Sequence, residues 1–230
     1  MDEAARLAPM LSAPAWVFAH EQTTGRGRRG RLWLSPAENF AATYVFRPPV
    51  TPPTAALYSF VAALALHEAL REVAGPGVSL ALKWPNDVLL NGGKLAGILL
   101  ESMATGGQIG QLAIGFGVNL AATPPVSALE PGALAPVSLR GETGLSVAPL
   151  AFLPHLAGAL ARLSAQFETF GFAPIRAAWL ARAARLGQPI TARLGTETLA
   201  GRFETINEQG ALVLDAPGGK RALAAADIFF

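Results

Sequence analysis

The chain has 230 residues and a nearly balanced charge, with 18 Lys and Arg side chains against 16 Asp and Glu. Hydrophobic residues make up 51% of the sequence and charged residues 15%, so apolar burial can offset the chain entropy lost on folding, which excludes a disordered protein. The absence of cysteine excludes disulfide bonds, thiolate metal sites and a cysteine nucleophile. We therefore expect a globular protein of the cytoplasm.

Neither a secretion signal nor a membrane span is expected from the sequence. The apolar stretch 7–19 is preceded by Asp2 and Glu3 instead of basic residues, and Pro9 and Pro14 interrupt it. No run reaches the roughly 18 consecutive apolar residues that a membrane helix requires. We expect no membrane partner.

The first 120 residues alternate short β-rich runs with one long helical pattern. The helix is predicted over 55–73, after two prolines and with an apolar face at three-to-four spacing. Asn91, Gly92 and Gly93 predict a hairpin turn. Strands are predicted at 16–21, 40–46, 80–84, 87–90, 95–103 and 108–120. This order predicts an α+β fold, with a mixed, mainly antiparallel sheet and helices on one of its faces.

The second half of the chain changes texture twice. Residues 121–147 are rich in proline, glycine and alanine and predict a long connection without regular structure. Helices are predicted at 148–170 and 174–185. A small C-terminal β-barrel is then predicted from short alternating strands at 188–194, 197–206, 211–214 and 220–224. We expect two domains, 1–186 and 187–230.

A glycine- and arginine-rich segment, QTTGRGRRGRLW at 22–33, follows the first predicted strand, and we call it the Gly/Arg loop. Its glycines permit positive φ angles and close backbone approach, and its arginines supply guanidinium groups suited to phosphate and carboxylate oxygens. Such a loop suits the joining of a carboxylate to the α-phosphate of ATP, where the repulsion between two anions must be cancelled. Trp33 offers a flat face for a purine or a cap for an apolar pocket.

Two other interpretations of the Gly/Arg loop stay open at this point. Mixtures of glycine and arginine also occur in flexible RNA-binding segments, where arginine stacks on bases, and a merely solvated basic loop has the same composition. The positive charge is local, with four arginines between positions 26 and 31. This favours an anionic small ligand over a long nucleic acid held along a basic face.

A second polar constellation lies at 83–101, KWPNDVLLNGGKLAGILLE. Pro85 is expected to present Asn86 and Asp87 at a turn, and the following hairpin returns Lys94 to the same end of the sheet. An acid suited to Mg²⁺ and an ammonium suited to a reacting carboxylate or phosphate would then converge. Taken singly, these are ordinary turn and hairpin residues, and Glu101 is an ordinary solvated strand residue.

Together the two segments resemble those of the biotin protein ligase family. The resemblance rests on GRGRRGRLW at 25–33, on KWPND at 83–87 followed by KLAGIL at 94–99, and on IGFGVNL at 114–120. It spans most of 16–120, and 187–230 resembles the family's SH3-like C-terminal domain. Two independent long motifs at the family's spacing are specific, unlike a lone glycine motif.

The resemblance implies an enzyme that uses ATP, biotin and Mg²⁺ to form biotinyl-5′-AMP and then transfers biotin to a lysine of a biotin carboxyl carrier domain. With no helix-turn-helix ahead of the catalytic segment, it implies a monofunctional ligase without a nucleic-acid partner, with a homodimer left open. A lipoate or octanoate protein ligase is the alternative enzyme. A nucleic-acid-binding module that uses the Gly/Arg loop is the alternative of another class.

The resemblance also assigns roles residue by residue. The catalytic residues it implies are Arg28, Lys94 and Asp87, with Asp87 also the metal ligand. The biotin-binding residues are Gln22, Gly25, Arg26, Gly27, Arg28, Lys94 and Gly97, where a side chain at position 97 would fill the biotin pocket. The residues for ATP or the adenylate are Arg26, Arg29, Arg31, Trp33, Asn86 and Asn119.

One family element has no counterpart in the sequence. Members of the family also use a serine-threonine-asparagine element ahead of their first helix, whereas this chain starts at Met1 and continues Asp2, Glu3, Ala4. The likeness thus begins just inside that element. Two expectations follow: if the natural start lies upstream of Met1, part of the biotin site belongs to those residues, and if Met1 is the natural start, we expect low biotin affinity or no activity.

Overall fold

Six antiparallel strands form the main sheet in a computed structural model that describes residues 1–48, 50–105, 108–125, 132–195 and 197–230. The strands are β1 (Ala15–Phe18), β2 (Phe40–Phe46), β3 (Leu80–Lys83), β4 (Asp87–Leu90), β5 (Gly93–Thr105) and β6 (Gln108–Val118). Their spatial order is β1-β2-β6-β5-β4-β3, and each neighbouring pair is antiparallel. Parallel pairing is confined to isolated bridges, such as Leu82 with Ala183. The predicted α+β fold with a mainly antiparallel sheet is confirmed.

Helices pack on the main sheet, all but the first on the face that holds the main core. They are α1 (Asp2–Leu7), α2 (Pro52–Ala56), α3 (Tyr58–Ala74), α4 (Leu139–Thr143), α5 (Pro149–Phe170) and α6 (Phe172–Leu180). The apolar face predicted for α3 is buried, with Val61 and Leu64 fully inaccessible, and the helix packs against α5, α6 and the sheet. The short helix α1 covers a separate apolar cluster with Val45, whose strand neighbour Phe46 belongs to the main core. Because successive strand residues face opposite sides, α1 lies on the other face of the sheet.

The C-terminal segment forms a second antiparallel sheet of five strands. These are β7 (Pro189–Leu194), β8 (Glu197–Ile206), β9 (Leu212–Ala216), β10 (Gly219–Leu223) and β11 (Asp227–Phe229), in the order β10-β9-β8-β7-β11. Phe203 and Ile206 of this sheet belong to the same buried cluster as α3 and the main sheet. The indole Nε1 of Trp84 also donates to the carbonyl of Gly210 at 3.1 Å. The hydrophobic core thus continues from the main sheet into the C-terminal sheet. The domain boundary that the sequence predicts at position 187 stays a prediction.

Local sequence patterns predicted the bounds of most helices and strands to within a few residues. Contacts with other elements of the fold explain where the prediction differs. The helix predicted over 174–185 ends at Leu180, because the following residues pair with the edge strand β3. There Leu82 donates to the carbonyl of Arg182 and accepts from the amide of Ala184, both at 2.8 Å. The predicted strand 16–21 ends at Phe18, and α1, α4 and β11 were not predicted. Of the predicted connection, 126–131 lies outside the described residues.

The stretch Pro52–Ala74 is long and apolar enough to pass a simple test for a membrane helix, at a mean hydropathy of 1.2. Of its most apolar window, 72% is buried inside the protein, as in the core helix of a globular fold. Because such a core helix passes the same test, this is weak evidence for a membrane span. No other stretch of the described residues passes it.

Acid sensitivity is expected from a buried histidine in α3. Burial, together with nearby Arg182, lowers the pKa of His67 to about 4, and the side chain's Nδ1 has no hydrogen-bond partner among the described residues. Because the pKa of His67 is lower in the native state than in the unfolded chain, the unfolded chain binds a proton first as the pH falls. The native state therefore has its full stability above pH 6.5 and loses stability as the pH falls towards 4. We expect the free energy of unfolding to drop by about 3 kcal/mol from this group over that window.

Urea denaturation of the native chain and of His67→Leu at pH 7, 5 and 4 measures this contribution. The variant should lose clearly less stability on acidification, because it has no imidazole to protonate. Equal losses in the two proteins would show that His67 does not titrate in this way.

Candidate functional site

A cavity of about 300 Å³ lies between the Gly/Arg loop, the main sheet and strand β11. It is lined by most of the residues that the sequence singled out, namely Gln22, Arg26, Gly27, Arg28, Arg31, Trp33, Asn86, Asp87, Lys94, Gly97 and Asn119. Gly25 and Arg29 are not among the lining residues. The fold therefore brings the Gly/Arg loop, the 83–101 hairpin and the end of β6 to one place.

The Gly/Arg loop folds back on itself as a small hairpin. The amide of Trp33 donates to the carbonyl of Gly25 at 2.9 Å, and that of Gly27 donates to Arg31 at 2.7 Å. A Cβ atom at Gly25 would lie 2.2 Å from the Trp33 carbonyl oxygen, so only glycine permits this approach. Gly25 thus shapes the loop, and its assignment to biotin stays a prediction.

Arg26 is held by carboxylates on two sides of the loop. Its Nη2 lies 3.1 Å from Oε2 of Glu101, its Nε donates to the other oxygen at 3.2 Å, and its Nη1 pairs with Asp2 of α1. The hydrogen bonds to Glu101 and Asp2 raise the pKa of Arg26. Glu101 is therefore not simply a solvated strand residue, since it anchors the start of the Gly/Arg loop.

Arg29 and Arg31 share one carboxylate that the sequence patterns did not reveal. Oδ2 of Asp227 in β11 lies 2.9 Å from Nη1 of Arg29 and 2.6 Å from Nη2 of Arg31. Burial raises the pKa of Asp227, but the hydrogen bond from Arg31 and the charges of both arginines together lower it by more. The net shift of the pKa is therefore downward. The apex of the loop is thus attached to the C-terminal sheet.

Arg28 differs from the other arginines of the loop. It is half-buried and lines the cavity, yet it forms no ion pair with any residue in the part of the chain that the structure describes. Burial, followed by the nearby charge of Arg29, lowers the pKa of its guanidinium, which nevertheless stays protonated at neutral pH. Arg28 is therefore the loop cation best placed to bind an anionic ligand.

Asp87 stands between two lysines at the floor of the cavity. Its side chain is 12% exposed; Oδ1 lies 2.8 Å from Nζ of Lys94, and Oδ2 lies 3.9 Å from Nζ of Lys83. The predicted convergence of the turn and the hairpin is found as expected. Lys83 was not assigned a role from sequence; burial lowers its pKa, the charge of Asp87 opposes this, and Lys94 adds to the lowering.

The two asparagines expected near a nucleotide base have protein partners. The side-chain Nδ2 of Asn86 donates to the carbonyl of Ile98 at 2.5 Å, and the backbone carbonyl of Asn86 accepts from the Ile98 amide at 2.9 Å, so both bonds attach the turn to β5. Asn119 donates to the carbonyl of Val137 at 3.1 Å, and its Oδ1 lies 3.5 Å from Nδ2 of Asn39. Both line the cavity while fixing its walls, and their base contacts stay predictions.

The indole of Trp33 rests on a glycine pair of adjacent strands. Gly97 of β5 faces Gly117 of β6, and a Cβ atom would lie 3.3 Å from Trp33 Cζ3 at the first and 2.5 Å from Nε1 at the second. The ammonium of Lys94 lies 5.7 Å from the ring centre. A side chain at position 97 or 117 would therefore push the indole first.

Gln22 offers the cavity an acceptor without a partner. Its Oε1 is buried and receives no hydrogen bond from the described residues, although buried oxygens nearly always have one. Gln22 itself lines the cavity, and its assignment to biotin stays a prediction. The sequence also missed two lining segments, 132–136 and 226–229, which are too short and irregular to carry a periodic pattern.

Comparison with known proteins identifies related sequences. Residues 6–119 match the model of the biotin/lipoate A/B protein ligase family, and 186–230 match the biotin protein ligase C terminal domain. A biotin-[acetyl-CoA-carboxylase] ligase of Paracoccus denitrificans is 59% identical over 228 residues, which cover 99% of this chain and 95% of the relative. The bifunctional ligase/repressor BirA of Bacillus subtilis strain 168 is 30% identical, and the match covers 92% of this chain but 65% of that protein.

The fold also matches solved structures. The biotin protein ligase from Aquifex aeolicus in complex with biotin and ATP superposes with a TM-score of 0.82 at 24% identity, covering 97% of this chain and 92% of that one. At this identity the likeness concerns the fold. It agrees with the α+β architecture described above.

The close contact between Trp33 and Gly117 predicts the effect of adding one methyl group at position 117. Gly117→Ala should displace the indole and lower the free energy of unfolding by about 1–3 kcal/mol, as overpacking does. In a Trp33→Ala background the same substitution should cost much less, because the clashing ring is gone. Denaturant unfolding of the four proteins measures both values.

Gly158→Ala is the control for this substitution. Gly158 lies in α5 with no atom within 4 Å of an added Cβ, so alanine there should stabilise the helix by about 0.5–1 kcal/mol. An unchanged stability of Gly117→Ala, or an equal cost in both backgrounds, would contradict the seating of Trp33 on Gly117.

Proposed function

Because the chain belongs to the biotin protein ligase family, we propose that it is an ATP-dependent ligase that forms biotinyl-5′-AMP and transfers biotin to a lysine of a biotin carboxyl carrier domain. The observation that carries the proposal is Arg28, a cation that has no carboxylate partner among the described residues and lines a cavity that Lys94 also lines. A reaction between two anions requires this arrangement.

The first step joins two negatively charged groups. An oxygen of the biotin carboxylate attacks the α-phosphorus of ATP, the bond to the bridging oxygen breaks, and pyrophosphate leaves. Arg28 and Lys94 screen the repulsion and stabilise the charge that develops at phosphorus. Their positions are set before the substrates arrive, so little reorganisation opposes the reaction.

The second step uses the mixed anhydride. The neutral amine of the carrier's lysine attacks the acyl carbon, the bond to the phosphate oxygen breaks, and AMP leaves with the electron pair while the nitrogen loses its proton. Because water also attacks the anhydride, the Gly/Arg loop is proposed to cover it until the carrier arrives.

Other cavity residues have roles in binding in this proposal. Asp87 orients the ammonium of Lys94, to which it is joined at 2.8 Å. The Oε1 of Gln22, which receives no hydrogen bond from the described residues, accepts one from a ureido N–H of biotin. Trp33 forms a wall beside the reacting groups, and Arg31 faces the phosphates.

Mg²⁺ is proposed to enter together with ATP. Asp87 is the carboxylate predicted to bind it, but two ammonium groups already flank Asp87, and no cluster of three or more acidic or histidine side chains suited to a metal occurs in the described ranges. Such a site fits an ion that the phosphates largely coordinate, with one protein carboxylate contributing. When bound, the ion would supply charge neutralisation on the phosphate oxygens.

The alternative functions are less well supported. The match of 186–230 to the biotin protein ligase C terminal domain favours biotin over lipoate or octanoate. Arg26, Arg29 and Arg31 are fixed in ion pairs, which does not suit a flexible RNA-binding segment. We propose a cytoplasmic enzyme without nucleic-acid or membrane partners, and a homodimer is the assembly to be tested.

Incubation of the protein with biotin, Mg·ATP and a biotin carboxyl carrier domain, followed by a streptavidin blot, tests the function. One acceptor lysine should become labelled, and labelling should require ATP. A carrier modified by lipoate but not by biotin would favour the alternative enzyme. Salt-sensitive RNA binding without ATP turnover would favour the nucleic-acid module.

Lys94→Ala is expected to reduce biotin-dependent release of pyrophosphate by at least about 100-fold, the usual effect of removing one preorganised charge donor. A coupled pyrophosphate assay measures the rate. Lys220→Ala is the control, because this lysine is exposed on β10. A rate within twofold of the native enzyme would remove Lys94 from its proposed role.

Arg28→Gly is expected to let the adenylate escape, so that lysines of bystander proteins become biotinylated. Arg221→Gly, which removes an exposed arginine from β10, should leave labelling confined to the carrier. Mass spectrometry of a mixture of carrier and bystander protein distinguishes the outcomes. Labelling still restricted to the carrier in Arg28→Gly would contradict the proposed cover.

A further inference from the structure

Strand β11 places an acidic residue against the apex of the Gly/Arg loop, far away in sequence. In the C-terminal sheet, Asp227 of β11 lies opposite Arg193 of the neighbouring strand β7. Its carboxylate accepts hydrogen bonds from Arg29 and Arg31 at 2.9 and 2.6 Å. The side chain is 12% exposed, whereas those of the two arginines are 44% and 39% exposed. The C-terminal sheet thus contributes to the cavity wall through β11 and also holds the loop that covers it.

Asp227 is also the counter-charge for a larger group of cations. Burial lowers the pKa of Arg28 and of Lys83, and the charge of Asp227 opposes that lowering; the charge of Arg193 in β7 also acts on Asp227, in addition to the two loop arginines. Without this carboxylate, several partly buried cations would lie close together with no negative charge between them. The most exposed of these cations belong to the Gly/Arg loop. Mutual repulsion would move the loop outward, since the sheets are fixed by their cores.

The backbone of the loop apex requires an external anchor. Arg29 has φ 56°, in the left-handed region that a non-glycine residue occupies at a cost of about 1 kcal/mol, and Gly30 follows with φ 72°. At the other end, Arg26 is anchored by Glu101. Asp227 therefore provides the second attachment point, at the apex.

We propose that Asp227 is a positioning residue for the adenylate-forming reaction, which holds the Gly/Arg loop closed over the cavity through its paired hydrogen bonds to Arg29 and Arg31. The inference rests on the proposed function for its catalytic consequence. Asp227 acts through the arginines and does not touch the reacting atoms. It makes retention of the adenylate depend on the C-terminal sheet.

Asp227→Asn removes the charge and keeps the shape, and Asp227→Glu keeps the charge. Asp215→Asn is the matched control, because Asp215 is an exposed carboxylate of β9 in the same sheet. Hydrogen–deuterium exchange of the amides at 25–33 in the ligand-free protein reports on the loop alone. We expect exchange in Asp227→Asn to be about tenfold faster than in the native chain, with Asp227→Glu closer to native and Asp215→Asn unchanged.

The release rate of preformed biotinyl-5′-AMP is the second readout. It should also rise about tenfold in Asp227→Asn, and a double variant with Arg29→Gln should release no faster than Asp227→Asn alone, because Arg29 has already lost its contact with Asp227. A merely structural role would instead lower the melting temperature without a selective change at 25–33. Arg29→Gln, which leaves β11 intact, provides the same comparison if Asp227→Asn does not fold.

Native-like exchange at 25–33 and a native-like release rate in Asp227→Asn would overturn the proposal. If the native chain forms no adenylate, the proposed function fails, but the exchange comparison still decides whether Asp227 holds the loop. Faster exchange together with unchanged adenylate release would overturn the catalytic part, because loop closure would then not retain the intermediate.

Discussion

The concentration of positive charge around one cavity is the constraint on which the site depends. The Gly/Arg loop alone contributes four arginines within six residues, and these would repel one another and the nearby lysines without compensation. The compensating carboxylates come from separate parts of the chain, namely Asp2, Asp87, Glu101 and Asp227. Among the described residues, the fold pairs most of these cations with carboxylates and leaves Arg28 without an ion pair, available to a ligand. In this account, the structure holds the loop and the ligand supplies the missing negative charge.

The parts of the site that sequence predicted are those set by local geometry. The turn at Asn86 and Asp87 and the return of Lys94 follow from a hairpin of fixed length, and the 2.8 Å contact between Asp87 and Lys94 bears out that convergence. Strand β2 follows from a short run of aromatic and β-branched residues, and the hairpin turn at Asn91 and Gly92 follows from residues that tolerate positive φ. Family resemblance added roles for individual residues, which still await direct tests.

The parts that sequence did not predict arise from contacts between distant segments. Asp227 lies 196 positions beyond Arg31, in a strand of three residues that is too short to show alternation. Similarly, α6 ends early because an edge strand accepts the next residues as partners, a competition that helical periodicity does not reveal. The indole of Trp33 can lie where it does because Gly117 has no side chain. In each case, the determining partner belongs to another element of the fold.

A crystal structure of the protein with biotin and a non-hydrolysable ATP analogue tests the central claim most directly. We expect both ligands in the cavity beneath the Gly/Arg loop, with a carboxylate or phosphate oxygen within about 3 Å of the Arg28 guanidinium and the other loop arginines still in their ion pairs with the protein. Ligand density in a different cleft, or Arg28 pointing to solvent while both substrates are bound, would contradict it.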